Sequence, residues 1–232
     1  MGDFFNGFGI KDYKTILFET IMTISISKSL KVMLTAVLLT VTSTQLFSQT
    51  KHNKMKVLPP QSAPSFTVKD VTGATVNLAD YKGKKVLLTF YRNVGCPVCN
   101  VRFHEIEQEA EYFKSKGLIV LAVYESSAEN MKQYLEGETV NATMIPNADL
   151  SLYQLYNIER SHGKVMKGMF HGAMGKMGKG KKLFKKKIKQ DGKSNRIAAD
   201  FLIDENGNVH TAYYGRFVGD HLPIADIKQF LN

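Results

Sequence analysis

Two apolar runs on either side of a helical pattern constrain the fold of this chain more than any other feature. The runs are VLLTFY, residues 86–91, and GLIVLAVY, residues 117–124, and neither alternates polar with apolar residues. Such near-continuous runs are typical of strands that are covered on both faces of a sheet. Between them, in residues 97–115, apolar side chains recur at roughly helical spacing. A buried strand, a helix and a second buried strand predict an α/β domain.

The flanking segments predict further elements of the same domain. Hairpins are indicated around Thr72-Gly73 and Asn206-Gly207, because these dipeptides favour tight turns. Helices are expected at residues 126–136, 150–156 and 224–231. The order ββ-β-α-β-α-α-β-β-α predicts a central mixed sheet flanked by helices, with an N-terminal hairpin. No Gly-rich phosphate loop follows a strand, and two cysteines are too few for a disulfide scaffold.

Both cysteines stand in the tetrapeptide CPVC, Cys96–Cys99, after the first buried strand and at the expected start of a helix. A helix N-terminus stabilises a thiolate on Cys96 through unpaired N–H groups and the dipole, which lowers the pKa of the thiol. Cys99, one turn later, is close enough to form a disulfide, and Pro97 suits the first turn. Arg92 and Arg102 add positive charge nearby. These features predict a redox-active pair, with an inert disulfide or a metal site as alternatives.

The segment FYRNVGCPVC, residues 90–99, resembles the FYRxxxCPxC signature of the peroxiredoxin-like branch of the alkyl hydroperoxide reductase/thiol-specific antioxidant family. The resemblance covers residues 59–232 and is loose over 160–195. It implies a thioredoxin-like fold and an antioxidant thiol oxidoreductase that needs no organic cofactor and no metal. Its substrate would be a peroxide or a protein disulfide, and its reductant an external thiol. The implied site consists of catalytic Cys96 and Cys99, supported by Tyr91, Arg92, Pro97 and Arg196.

The sequence departs from the family pattern at two places. Family members usually carry Thr or Ser three residues before the attacking cysteine, and that register makes Cys99 the attacker. The thioredoxin pattern makes Cys96 the attacker, and this is the assignment that we predict. Ala198 stands where thioredoxin-fold enzymes usually carry a cis Pro. A cis bond without Pro costs about 2.5–4 kcal/mol, so we expect a trans peptide here.

The N-terminus predicts export. Lys28 and Lys31 precede the apolar run Val32–Phe47, which a polar stretch follows. A positive n-region and a short apolar h-region are typical of a secretory signal peptide, so residues 1–49 are interpreted as an N-terminal extension and signal peptide. An uncleaved membrane anchor is the alternative. The expected location is the periplasm or cell envelope, where we expect no specific nucleic-acid partner.

The net charge of +10 lies in one segment. Residues 164–193 hold eleven Lys and one acidic residue, Asp191, whereas the rest of the chain is balanced. We interpret residues 160–195 as a basic, Met- and Gly-rich insertion before the last hairpin that is solvated and mobile. Alternatively, its apolar side chains contact an anionic surface weakly, or the segment and the thiols form a copper(I) carrier. The apolar residues are Phe170, Leu183, Phe184 and Ile188, and the copper ligands would be Met166, Met169, Met174, Met177, His162 and His171.

Overall fold

A five-stranded mixed sheet is the centre of the fold. The strands are β1 (Thr67–Lys69), β2 (Thr75–Asn77), β3 (Lys85–Phe90), β4 (Leu118–Tyr124), β5 (Thr143–Pro146), β6 (Ala199–Ile203) and β7 (Val209–Tyr214). The order in the sheet is β5-β4-β3-β6-β7, with β3 parallel to β4 and antiparallel to β6. Strands β1 and β2 form a separate antiparallel hairpin. The predicted mixed sheet and both predicted hairpins are therefore confirmed.

Seven α-helices accompany these strands in the computed structural model, which describes residues 55–183 and 189–232. They are α1 (Pro97–Gln108), α2 (Ala110–Ser115), α3 (Ala128–Leu135), α4 (Ser151–Leu155), α5 (His162–Phe170), α6 (Ala173–Leu183) and α7 (Ile224–Leu231). The predicted signal peptide or anchor and two of the apolar residues, Phe184 and Ile188, lie outside the described residues. In the part of the chain that is described, every helix is too short or too polar to cross a membrane.

The apolar run of β3 is buried on both faces, as predicted. Side chains alternate across a strand, so Val86, Leu88 and Phe90 pack on one side against a cluster that includes residues of α4. Leu87 packs on the other side with residues of α1 and α7. This double burial explains why the run has no polar alternation.

The two ends of the segment 160–195 lie side by side and are joined by hydrogen bonds. The backbone N–H of Ser161 donates to the Asn195 carbonyl (2.8 Å), and Arg160 donates to the Asn195 side chain (2.9 Å). An isolated antiparallel bridge also pairs Arg160 with Arg196. Between these ends stand α5 and α6, in the segment that was interpreted as solvated and mobile. Helix α5 is capped by Ser161, whose hydroxyl accepts the N–H of Lys164 (3.2 Å).

Candidate active site

The two cysteines lie where β3 leads into α1. Cys96 caps the helix, and its sulfur accepts a hydrogen bond from the backbone N–H of Cys99 (3.3 Å). Pro97 occupies the first turn, as predicted. Both thiols are free, and their sulfur atoms are 2.8 Å apart. The sulfurs of this cysteine pair, Cys96 and Cys99, are therefore within reach of disulfide formation.

The surroundings separate the pKa values of the two thiols. Burial by itself would raise the pKa of Cys96, but hydrogen bonds from the Cys99 thiol and two backbone N–H groups, with the charge of Arg92, lower it to about 6. Burial raises the pKa of Cys99 well above its usual range, and the hydrogen bond and charge of Cys96 add to this effect. Cys96 is therefore the thiol that ionises first, and the thiolate is the nucleophile.

Tyr91 and Arg92, two of the predicted supporting residues, also lie at the pair. The Arg92 guanidinium donates to the Ser194 carbonyl (2.8 Å), and its charge favours the thiolate forms of both cysteines. Tyr91 is fully buried in the cluster that holds both cysteines, where it stacks on Tyr124 with ring centroids 4.7 Å apart. Arg92 thus places a positive charge near the two sulfurs, and Tyr91 places an aromatic ring in the same cluster.

Arg196 occupies a different position. Its guanidinium pairs with the buried Glu125 carboxylate, donates to the Ile158 carbonyl (2.6 Å) and lies over the Tyr153 ring. Glu125 also accepts the backbone N–H of Lys193 (2.5 Å). These contacts fix the loop that supplies the Ser194 carbonyl to Arg92. Arg196 therefore positions this loop, and its hydrogen-bonding nitrogens are directed at Glu125 and Ile158.

Sequence reasoning missed the residues that brace the loop before the pair. The Ser126 hydroxyl accepts the N–H of Val94 (3.0 Å) and donates to Asp191 (2.8 Å), while Asn100 donates to the Val94 carbonyl (2.9 Å). A signal was present, because Glu125 and Ser126 follow β4 as the pair follows β3. The carboxyl ends of neighbouring parallel strands meet at one edge of a sheet. At the Ala198 position, the peptide is trans as predicted, since Pro59-Pro60 is the only cis bond within the described ranges.

Helix α6 lies against the start of α1 and covers the cysteine pair. The relative exposure of Cys96 is 0% and that of Cys99 is 8%. A Cβ atom added at Gly180 would lie 2.1 Å from the Pro97 carbonyl oxygen, and Met177 packs against the cluster that holds both cysteines. The insertion was interpreted as solvated, but one face of this helix packs on α1, because Gly180 allows the two backbones to touch.

The His and Met ligands that the copper alternative requires are not gathered at one place in the described residues. No three His, Cys, Asp or Glu side chains come together there as metal ligands. Met166, Met169 and Met174 are exposed, and His171 stacks on the ring of Phe217 with centroids 4.7 Å apart. Among the Met residues named as ligands, Met177 packs against the cluster that holds both cysteines.

Comparisons with known proteins agree with the geometry. The model of the AhpC/TSA family matches residues 59–212. Peroxiredoxin Bcp of Escherichia coli (strain K12) is 27% identical over 149 residues, which cover 63% of this chain and 88% of that protein. Peroxidoxin BcpB from Mycobacterium tuberculosis has a TM-score of 0.54 at 14% identity, covering 75% of this chain and 94% of that chain. The reduced 2-Cys peroxiredoxin of Plasmodium vivax has a TM-score of 0.54 at 17% identity, covering 76% and 94%. The predicted thioredoxin-like fold is confirmed.

Proposed function

Because this chain belongs to the AhpC/TSA family and is a thiol oxidoreductase, we propose that it is an exported peroxidase in which Cys96 attacks the peroxide and Cys99 resolves the product. One observation carries the assignment of roles. Cys96 caps α1 with a pKa lowered to about 6, while the Cys99 sulfur lies 2.8 Å away with a raised pKa. The first thiol is thus the nucleophile, and the second is held ready as a protonated thiol.

The reaction proceeds in two steps at these sulfurs. The Cys96 thiolate attacks one peroxide oxygen, the O–O bond breaks, and the other oxygen leaves as water or an alcohol after protonation. Cys96 is thereby oxidised to a sulfenic acid. The Cys99 sulfur then attacks the Cys96 sulfur, water leaves, and a disulfide forms. An external thiol donor returns two electrons and two protons, which restores both thiols.

Single Cys→Ser variants test the roles. Cys99→Ser should consume one equivalent of hydrogen peroxide and retain a sulfenic acid on Cys96, detected as a dimedone adduct by mass spectrometry, because resolution is lost while attack survives. Cys96→Ser should not react. If Cys96→Ser reacts and Cys99→Ser does not, Cys99 is the attacker and the roles are reversed. If neither the native protein nor a variant reacts with peroxide, while the reduced protein reduces insulin disulfides and is regenerated by an external thiol, the protein is a disulfide reductase.

Export is supported by the sequence of the N-terminal extension, with Lys28 and Lys31 before the apolar run Val32–Phe47. Fractionation of cells that express the full chain tests it. Recovery of a shortened, soluble product from the cell envelope, with a new N-terminus near Ser48, supports a cleaved signal peptide. A full-length product in the membrane fraction would indicate the anchor, and a full-length product in the cytosol would contradict export.

A further inference from the structure

We propose that α6 is a size-selective cover that admits hydrogen peroxide and other small hydroperoxides to the redox pair and excludes bulky hydroperoxides and protein disulfides. This inference deepens the proposed function and rests on it for the identity of the substrate. It names the substrate class and assigns Gly180 as the residue that allows the cover to close.

The first argument is the backbone contact between α6 and α1. A Cβ atom at Gly180 would lie 2.1 Å from the carbonyl oxygen, 2.6 Å from the carbonyl carbon and 2.9 Å from the Cα atom of Pro97. Pro97 directly follows Cys96, so the cover meets the peptide adjacent to the attacking residue. Carbon and oxygen atoms pack at about 3.5 Å, and only glycine permits an approach this close.

The second argument is that specific contacts hold the cover shut. The Lys176 ammonium of α6 donates to the Gly219 carbonyl (2.8 Å), and Lys164 of α5 donates to the Gly215 carbonyl (2.9 Å). On α5, Gly168 abuts Val218 so closely that a Cβ atom would come within 2.4 Å of its side chain. Both helices are thus fastened to the 215–219 loop, which also contacts α1, because a Cβ atom at Gly219 would lie 2.6 Å from the Val98 side chain. A protein disulfide cannot reach the sulfurs while these contacts are made.

The third argument is that polar groups without a hydrogen-bond partner are buried near the pair. The hydroxyl group of Tyr124, which shares a cluster with both cysteines, is buried without a hydrogen-bond partner in the described residues. The side-chain amide of Asn93, whose carbonyl accepts the Cys96 N–H (3.1 Å), is likewise buried without a partner. Buried polar groups normally form hydrogen bonds. These groups therefore suit a small molecule that donates and accepts hydrogen bonds, as hydrogen peroxide does.

Thiol reagents that share one reactive group and differ in size test the cover directly. The reduced protein is treated with methyl methanethiosulfonate and with a neutral methanethiosulfonate that carries a polyethylene glycol chain, and each rate is divided by the rate for free cysteine. The native protein should discriminate against the large reagent by about 100-fold, because the closed cover must open to admit it. Gly180→Ala pushes α6 off Pro97, so it should reduce this discrimination by about tenfold or more.

Gly178→Ala is the matched control. It replaces a glycine of the same helix, where a Cβ atom would meet nothing within 4 Å, and it should leave the discrimination unchanged. Should Gly180→Ala fail to fold, Met177→Ala removes an apolar contact of the cover with the cluster of the pair, and Met174→Ala changes an exposed residue of the same helix. Met177→Ala should reduce the discrimination and Met174→Ala should not.

Equal relative rates for both reagents in the native protein would contradict the inference. Identical size discrimination in Gly180→Ala and Gly178→Ala would contradict it as well. With peroxides, the native protein should prefer hydrogen peroxide to cumene hydroperoxide, and Gly180→Ala should lose that preference; a preference that survives in Gly180→Ala also contradicts the inference. If no variant reacts with any peroxide while the size discrimination persists, the proposed function fails and the cover remains.

Discussion

Replacing Arg92 by Met should raise the pKa of the Cys96 thiol and slow peroxide reduction most strongly at mildly acidic pH. The Arg92 charge lowers the pKa of both thiols, and loss of a close opposite charge shifts a pKa by about 1–2 units. From a starting pKa of about 6, the variant should reach about 7–8. Since only the thiolate attacks, the nucleophile is lost below the new pKa and kept above it.

The size of the effect follows from the thiolate fraction. At pH 6.5 this fraction falls from about three quarters to between about a quarter and a thirtieth, so the rate falls by about 3- to 25-fold. At pH 9.5 the two proteins should react at nearly equal rates, because the Cys96 thiol is then ionised in both of them. The chain has no Trp, so the ultraviolet absorbance of the thiolate is the signal for both the titration and the stopped-flow reaction.

Arg92→Lys is the control, because it keeps the positive charge and changes the hydrogen bond to Ser194. The titration midpoint of the Cys96 thiol in this variant should stay near that of the native protein. An unchanged midpoint in Arg92→Met would refute the electrostatic argument. If the shift in Arg92→Lys were as large as that in Arg92→Met, the geometry of the side chain, not its charge, would determine the pKa of the Cys96 thiol.

Two further predictions concern stability, measured by denaturant unfolding of the reduced protein. Glu125→Gln should lower the free energy of unfolding by about 3–5 kcal/mol, because it leaves the Arg196 charge buried without its partner. Glu159→Gln, which breaks a partly exposed pair with Lys164, should cost less than about 1 kcal/mol, and equal losses in the two variants would contradict this reasoning. Gly207→Ala should cost about 1–2 kcal/mol, because this hairpin residue has φ +83°; an unchanged unfolding midpoint would argue against it.

The elements that carry the cysteine pair could be predicted because their signals are local. The run before Cys96 has no polar alternation, Pro97 marks a first helical turn, and Asn206-Gly207 marks a hairpin. Each signal depends on a few neighbouring residues, and each corresponds to an element of the structure. The helix at residues 224–231 was predicted at its observed bounds for the same reason.

Contacts between distant segments could not be predicted in this way. Helix α6 touches α1 through Gly180 and Met177, which leave a weak periodic signal among many lysines. The many lysines of the segment indicate an exposed surface, and they obscure the short pattern of residues that pack against α1. Similarly, nothing near Arg196 in the sequence indicates that its guanidinium forms an ion pair with Glu125, which follows another strand. Such pairings depend on the sheet order, which brings the two segments to one edge.

The joined ends of residues 160–195 make helices α5 and α6 a replaceable unit. Because Ser161 and Asn195 are hydrogen-bonded at the base, and residues 191–194 contact the domain directly, the entry of the chain into β6 does not depend on these two helices. Halving or doubling the length of a flexible closed loop changes its closure free energy by only about 0.6 kcal/mol. The same scaffold can therefore carry a short turn or a long helical pair at this place, so grafting one for the other would exchange an open thiol pair for a sheltered one without a change in strand register.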